Sequence, residues 1–438
     1  MTRLFLGWLA AAAIGAATPA FAQTPAAGRE PLQLAALQQA AREADARTRE
    51  LDLLAQQTEL RLHNIDAEQR PSVNVLGQSQ YQSDVPKSPI TAPDGSPLFG
   101  APKFTYDASL RVDQRVYDAA IQPRRDLLRA DLAESRARVR TALFALRQEV
   151  NDAFFAAALL QEQLGALTAT LDDLDKRLQE TTTRVREGAA LPGDAAAIEA
   201  TLLQQRQQAD ALRSARRAAL ARLSTLTDRS IAADAVTALP EIADRVAQVR
   251  STLSSQRERP EYDQFDRARD RAASQQVVTK ATDRPQVLAF GRAGFGRPGL
   301  NFISDQPQVY ALAGVQLNWK AWNWGTSDRE REAIGLQQRI VSAEETAFTS
   351  ALRRAIESDL AAIDQLEASL PTDERIVSLR ESIDQTARVR LGEGVITAAE
   401  YLDRRTEWLT AQFDRARHRV ELAQARARVL TTLGLEVQ

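Results

Sequence analysis

The chain has 438 residues, a formal net charge of −2 and no cysteine. Because positive and negative charges nearly balance, the composition gives no sign of a nucleic-acid partner, which would require a clustered basic surface. The absence of cysteine excludes disulfides, thiolate metal sites and a lipid anchor attached through cysteine. Aromatic residues are only 5% of the chain, and alanine, leucine, glutamine, arginine and glutamate dominate. This composition is typical of long helices.

The first predicted element is a secretory signal peptide over residues 1–22. Arg3 supplies the positive region, an apolar stretch runs from Leu4 to Ala17, and the segment 20–22 has an A-x-A-like cleavage pattern. The apolar stretch is shorter than the roughly 20 residues that a membrane-spanning helix needs, although an N-terminal membrane anchor is the alternative. No later segment predicts a transmembrane helix.

Three sequence matches recur in the same order, which indicates an internal duplication. Their spacing is nearly constant, and the small difference falls in a loop. The matching segments are an RPxVxxxG pattern at 70–77 and 284–291, strand ends at 117–118 and 322–323, and Arg-Val-Arg-x-Gly at 184–188 and 388–392. We therefore predict a first repeat over residues 23–239 and a second over 240–438.

Each repeat contains two predicted strands, at about 71–81 and 104–117 and at about 285–295 and 309–322. From Phe104 to Val116, apolar and polar residues alternate strictly. This pattern is typical of a strand between lipid and an aqueous lumen, and a soluble hairpin half-buried on helices is the alternative. Open sheet edges are not tolerated in lipid, so other subunits would have to complete a barrel.

Aromatic residues cluster at one end of these strands, as they do where membrane proteins meet lipid headgroups. Three of them belong to the second repeat and one occupies the matching place in the first. The residues are Tyr117, Trp319, Trp322 and Trp324. We predict that they form a membrane-interface belt.

Long amphipathic helices are predicted around the hairpins, over residues 33–68, 121–186, 194–228 and 397–433, with a non-helical connector at 230–239. At 1.5 Å per residue, the second of these would extend for about 100 Å. No ordinary globular core needs such an element, so the pattern favours a coiled-coil-like assembly.

This order of elements resembles the TolC-type outer-membrane efflux channel family over nearly the whole mature chain. The most specific stretch runs from Gly394 to Asp403 and is similar to the family's G-x-x-[ST]-x-x-D-x-L-D signature, with Glu400 in place of the first aspartate. The resemblance implies a mainly α fold with a membrane β-hairpin in each of two repeats. Three chains would form a twelve-stranded β-barrel, continued by a periplasmic α-helical barrel. The strand ends at 115–119 and 320–325 depart from a Pro-Leu-Phe-Asp-Gly-Gly-like pattern, which leaves the subfamily open.

The resemblance also implies a location in the cell outer membrane, with a long periplasmic extension. The chain would be a channel subunit of a tripartite efflux or type I secretion system, a passive exit duct gated at its coiled-coil tip. Its partners would be two further copies, outer-membrane lipid, a periplasmic adaptor (membrane fusion) protein and an inner-membrane pump of the RND or ABC type. A periplasmic coiled-coil adaptor or structural spacer is the alternative function, although no run of short strands predicts the β-rich module of an adaptor.

The resemblance places Glu400 and Asp403 at the periplasmic constriction of such a channel. Repeated threefold, their carboxylates would favour cations. The alternative is that both are solvated charges in the first turn of a helix, where acids are favoured. Gly188, Gly392 and Gly394 are expected at the tips that meet the adaptor.

The sequence contains no pattern that predicts catalysis. Its two histidines, His63 and His418, lie far apart on charged helix faces without a partner at metal-binding spacing. A nucleophile elbow, a phosphate loop and a Cys/His cluster are all missing. We therefore predict no enzyme activity, no metal site and no cofactor, and expect both histidines to be solvated.

Overall fold

The computed structural model describes residues 30–86, 90, 93, 101–252, 258–300 and 306–437. The predicted signal peptide and much of both hairpin loops lie outside the described residues. The elements in chain order are α1 (Leu34–Ala44), α2 (Arg47–Ala67), β1 (Ser72–Tyr81), β2 (Phe104–Asp118), α3 (Ile121–Arg186), α4 (Pro192–Thr227), α5 (Ala243–Thr252), α6 (Pro260–Ala281), β3 (Gln286–Arg297), β4 (Gln308–Asn318), α7 (Thr326–Gly392) and α8 (Ala398–Leu433).

The four strands form one antiparallel sheet in the order β1-β2-β3-β4. Its register sets Val75 opposite Leu110, Leu110 opposite Ala293, and Ala293 opposite Ala311. The pairing of β2 with β3 joins the two halves of the chain in a single sheet. A register shift after Arg115 marks an irregularity at the end of the sheet that leads into α3.

The helices pack side by side at two successive levels along their length, and the long helices α3 and α7 run through both levels. At the level near the sheet the order is α2-α3-α6-α7, and at the level further from the sheet it is α4-α3-α8-α7. Within the described ranges, none of the helices combines the length and apolar character needed to cross a membrane.

The main hydrophobic core lies halfway along α3, where α1, α4, α5 and α8 also meet. Phe154 and Phe155 are buried there with their rings edge to face, 5.3 Å between centroids. Burial of each such ring contributes on the order of 1.5–3 kcal/mol. This core fixes the middle of the long helices, and smaller apolar clusters lie toward the tip, around Leu174 and Ile198, and toward the sheet, around Leu143.

The helix predicted over residues 33–68 is two helices, because the chain turns at Asp45. This residue adopts an extended conformation with ψ 129° after the last turn of α1. Its Oδ1 accepts hydrogen bonds from the backbone N–H and from Nε of Arg47, each at 2.8 Å. The predicted connector at 230–239 is non-helical, as expected.

Strand β4 ends at Asn318, several residues before the predicted end near 322. Between the strand and α7 lies a tight turn in which Trp324 and Gly325 take positive φ values of 56° and 70°. Oδ1 of Asn323 stabilises the turn by accepting a 3.0 Å hydrogen bond from the N–H of Gly325. The bounds of the other three strands, β1, β2 and β3, lie within about two residues of those predicted.

Candidate functional site

One face of the sheet is apolar and exposed. The even-numbered residues of β2 point to this face, and the register brings odd-numbered residues of the other strands beside them. Val75 is 84% exposed and Val309 is 82% exposed. Other large exposed side chains on this face are Val73, Leu110, Val315 and Leu317. A face of this kind is unfavourable in water and suits contact with lipid.

The opposite face of the sheet carries charged and hydrogen-bonded side chains. Asp107 on β2 accepts from the Tyr310 hydroxyl on β4 and pairs with Arg292 on β3. Nε of Arg292 also donates to the Ser109 hydroxyl at 2.9 Å. The strict alternation in the sequence therefore corresponds to two chemically different faces. We refer to them below as the apolar face and the charged face.

The predicted interface belt lies at the end of the sheet next to the helices. Trp322 and Trp324 are in contact edge to face, 5.8 Å between ring centroids, and the indole N–H of Trp319 donates to the carbonyl of Asp283 at 3.1 Å. Tyr117 and the three tryptophans are all exposed. Their contact with a membrane interface stays a prediction.

A second aromatic group at the opposite end of the sheet was not recognised from the sequence. Its members point to the apolar face, and Tyr106 contacts two of the other rings at 6.2 Å. The four residues are Tyr81, Phe104, Tyr106 and Phe295. Tyr81 is eight residues along β1 from Val73, or about 27 Å at 3.4 Å per residue. At a strand tilt of about 40°, this length corresponds to a height of roughly 21 Å, somewhat less than the ~25 Å apolar band of membrane barrels.

Among the described residues, β1 and β4 are the edge strands of the sheet and pair on one side only, and the outer helices α2, α4 and α7 expose apolar side chains. On the side of β1, α2 exposes Leu53 and Leu60 and α4 exposes Leu203. On the side of β4, α7 exposes two further stripes along its length. These are Leu336 and Ile340 near the sheet, and Ile376, Leu379 and Ile383 further away. In the described part of the chain, exposed apolar side chains thus occur on the outer helices as well as on the sheet.

The tip turns that end α3 and α7 have the same geometry in both repeats. Gly188 and Gly394 adopt positive φ values of 73° and 75°, a conformation that favours glycine. In each turn, the residue after the glycine donates its backbone N–H to the carbonyl five residues earlier. The N–H of Ala189 lies 2.7 Å from the Arg184 carbonyl, and that of Val395 lies 2.8 Å from the Arg390 carbonyl. Gly188 is therefore equivalent to Gly394, whereas Gly392 is the last residue of α7. Contact of these glycines with an adaptor stays a prediction.

Glu400 and Asp403 are both exposed in the first turns of α8. Glu400 forms a capping box with Thr397, in which each side chain accepts a hydrogen bond from the backbone N–H of the other residue. The first repeat assists, because the Asp194 carboxylate accepts from the Ala398 N–H at 3.1 Å. The capping alternative for Glu400 thus describes its contacts in the single chain. Its position in a constriction, with Asp403, stays a prediction.

A buried cluster of charged groups lies close to the tip and was not recognised from the sequence. Arg405 on α8 donates to Asp384 on α7 at 2.9 Å, and both side chains are buried. The hydroxyl of the fully buried Tyr401 donates to Asp173 on α3 at 2.7 Å, and Arg388 lies 3.3 Å from the same carboxylate. The cluster therefore connects three helices a few turns from the tip glycines.

Burial dominates the electrostatics of this cluster. It raises the pKa of Asp384, and the neighbouring Arg405 offsets part of that effect. It also raises the pKa of the Tyr401 hydroxyl far above its ordinary value, with a further contribution from the hydrogen bond to Asp173. Oδ1 of Asp384 and Nε of Arg405 have no partner among the described residues. A sequence signal existed, since Arg405 interrupts the apolar stripe that includes Leu402 and Leu409.

The histidines do not form a catalytic or metal site in the described part of the chain. His418 is partly exposed, and its Nδ1 lies 2.7 Å from Asp373 Oδ2 across the α7–α8 contact. His63 is exposed on α2. No group of three or more potential metal-ligating side chains occurs among the described residues.

Comparison with solved structures identifies the fold, whereas the sequence matches no family model and no curated protein. The outer-membrane channel OprN is 17% identical with a TM-score of 0.63, covering 92% of this chain and 89% of that one. The CmeC outer-membrane channel of Campylobacter jejuni is 14% identical with a TM-score of 0.65, covering 92% and 85%. The open state of the MtrE outer-membrane channel of Neisseria gonorrhoeae is 18% identical with a TM-score of 0.64, covering 92% and 89%. The chain therefore has the fold of the TolC-type outer-membrane channels.

Proposed function

We propose that the chain is a subunit of an outer-membrane channel that serves as a passive exit duct of a tripartite efflux or type I secretion system. Three copies close their sheets into one twelve-stranded barrel, and their helices continue as a tunnel into the periplasm. The duct performs no chemistry.

The observation that carries this proposal is a sheet with one exposed apolar face and two free edges. A free edge leaves backbone N–H and C=O groups unpaired, which is strongly unfavourable in lipid. Pairing β1 of one copy with β4 of the next would satisfy these groups. The same head-to-tail contact would bring the apolar stripe of α2 or α4 against that of α7. Sheet and helices thus support one cyclic arrangement.

Gating is proposed at the far end of the helices, in the turns that contain Gly188, Gly392 and Gly394. An adaptor bound there, together with the inner-membrane pump, would spread the helix pairs. Glu400 and Asp403 would line the constriction that this movement widens. Both residues lie in the first turns of α8, directly after the Gly394 turn, and this position supports a location near the tip.

Membrane fractionation and conductance test the proposal together. The protein should resist extraction from the outer membrane by salt or carbonate, and the detergent-extracted complex should conduct ions across a planar bilayer. A monomer that remains soluble without detergent would overturn the proposal, and a periplasmic spacer would then explain the long helices better.

A further inference from the structure

Three glycines on the charged face of the sheet are closely covered by neighbouring side chains. A Cβ added at Gly294 would lie 2.6 Å from Ser109 Cβ and 2.8 Å from the Tyr310 ring. At Gly314 it would lie 2.9 Å from the Phe290 ring. Gly296 is similarly tight, with 2.9 Å to a carboxylate oxygen of Asp107. None of these distances is compatible with a real Cβ unless a neighbour moves.

The glycines of the apolar face show the opposite situation. Gly77 and Gly291 lie opposite Ala108 and Val112 of β2. A Cβ added at either glycine would meet nothing within 4 Å. Close coverage is therefore a property of the charged face and not of glycine in this sheet.

The covering rings lie along the sheet instead of standing on it. Tyr310 starts on β4, crosses Gly294 of β3, and reaches Asp107 on β2 with its hydroxyl. Phe290 starts on β3 and covers Gly314 on β4. A ring in this position rises only about 3.5–4.0 Å above the backbone, the contact distance between carbon atoms. Side chains on strands otherwise stand roughly perpendicular to the sheet.

Arginine side chains pack against both rings. The guanidinium of Arg292 lies 5.7 Å from the Tyr310 ring centre and also pairs with Asp107. The guanidinium of Arg111 lies 5.3 Å from the Phe290 ring centre. Contacts of this kind contribute about 0.5–1 kcal/mol each at exposed sites. The flat arrangement is thus stabilised at both rings.

We propose that Gly294 and Gly314 determine the size of solute that the barrel admits, because they allow Tyr310 and Phe290 to lie flat against its inner wall. This inference rests on the proposed function, since the charged face becomes an inner wall only when copies of the chain close the sheet. In the closed barrel, a side chain at either glycine would force a ring upright into the lumen. Three subunits would repeat each obstruction around the pore.

The chain lacks cysteine, so a single introduced thiol can report the width of the lumen. Gln316 is exposed on the charged face and lies nearer the helices than either ring. Maleimide-linked poly(ethylene glycol) of graded mass, added outside intact cells, should label Gln316→Cys up to a mass cut-off. Gly294→Val and Gly314→Val should each lower that cut-off. Gly291→Val, on the apolar face, should leave it unchanged.

A rescue variant distinguishes ring movement from general damage. Phe290→Ala combined with Gly314→Val should restore the original cut-off, because the three atoms nearest to a Cβ at Gly314 all belong to the Phe290 ring, which is then gone. If one of the two glycine variants does not reach the membrane, the mass cut-off of the other variant tests the inference. An unchanged cut-off in the assembled glycine variants would overturn the inference.

Failure of the proposed function would give a different result. Val315→Cys points to the apolar face and should not react with the hydrophilic reagent at any mass. Equal labelling of Val315→Cys and Gln316→Cys would mean that no barrel separates the two faces. Unequal labelling with an unchanged cut-off in the glycine variants would leave the channel intact and remove only the role of Gly294 and Gly314.

Discussion

The two repeats share a fold but place their charged clusters at opposite ends of the molecule. At the strand-to-helix junction of the first repeat, the buried carboxylate of Asp118 accepts from Arg115 at 2.8 Å and from Arg124 at 3.1 Å, and Glu68 joins both arginines. The matching residue of the second repeat is Asn323, whose amide donates to Ser327 at 2.9 Å and to an aspartate at 3.1 Å. One junction is thus held by ion pairs, and the other by hydrogen bonds that Asn323 and Ser327 donate to the carboxylate of Asp283.

At the tip the distribution is reversed. The second repeat contributes Tyr401, Arg405 and Asp384 to the buried cluster. Aligning the tip glycines places Ala195 and Glu199 of the first repeat at the positions of Tyr401 and Arg405. The two halves of the chain thus share helix lengths, strands and tip turns but differ in their ionic contacts. Each end of the molecule should respond mainly to changes in one repeat.

The largest effect is expected at the tip, for Arg405→Leu. This change leaves Asp384 buried without its ion-pair partner, which typically destabilises by about 3–5 kcal/mol. Hydrogen exchange should show a corresponding loss of protection in the first turns of α8. The control is Arg404→Leu, because Arg404 is exposed and its pair with Glu407 is weak. Equal effects of the two substitutions would contradict the account.

Replacing both partners tests whether the cluster acts through paired charge. Asp384→Leu combined with Arg405→Leu should recover most of the lost protection, because a buried ion pair can often be replaced by apolar residues without loss. A double variant as unstable as Arg405→Leu would indicate that shape, and not charge, fixes these helices.

A smaller effect is expected at the first junction, for Asp118→Asn. Its carboxylate is 1% exposed, and a hydrogen bond to a charged group contributes about 1.5–3 kcal/mol. The matched change Asn323→Ala should cost less, because it breaks no ion pair and the Asp283 carboxylate keeps its hydrogen bond from the Ser327 hydroxyl. Hydrogen exchange in the first turns of α3 and α7 measures both. A larger loss for Asn323→Ala would reverse the comparison.

The cap of α8 should contribute less, about 1 kcal/mol, as N-caps usually do. Thr397→Ala removes the capping box, and the counterpart Leu191→Ala should change little because α4 has no side-chain cap. Amide hydrogen exchange in the first turns of α8 and α4 measures how much each substitution increases fraying. Indistinguishable responses to Thr397→Ala and Leu191→Ala would show that the capping box is not significant.

The smallest effect is a pH dependence confined to the second repeat. Because burial raises the pKa of Asp384 in the folded chain, the folded state binds more protons than the unfolded state between the ordinary value of 3.8 and the raised one. The contribution of Asp384 to stability therefore increases as pH falls through that window. Subtracting the pH profile of Asp384→Asn from that of the parent, for exchange in α8, isolates this contribution. A difference that decreases on acidification would contradict the sign.

Much of the fold follows from local sequence patterns. Alternation from Phe104 to Val116 is sufficient to define both faces of the sheet, since side chains of a strand point to opposite sides. The unbroken pattern up to Arg186 is likewise sufficient for α3. The turn at Asn323 is different, because it depends on one side-chain hydrogen bond to the backbone and leaves no periodic signal.

The candidate sites were less predictable because their partners are distant in sequence. Asp173 and Tyr401 are separated by 228 positions, and nothing local indicates that they meet. The same holds for Gly294 and Tyr310, whose contact depends on strand register. The capping role of Glu400 was predictable, because Thr397 precedes it at the spacing of a capping box.

Cross-linking between the two edge strands of the sheet tests whether β1 of one copy pairs with β4 of the next. Asn74→Cys on β1 and Gln316→Cys on β4, both on the charged face, can be joined between neighbouring copies by a flexible bismaleimide in the otherwise cysteine-free chain. A barrel closed by three subunits should give a ladder on a denaturing gel that stops at three chains, while either single cysteine gives no trimer. Absence of cross-links between β1 and β4, or a ladder without an upper limit, would contradict a barrel closed by three subunits.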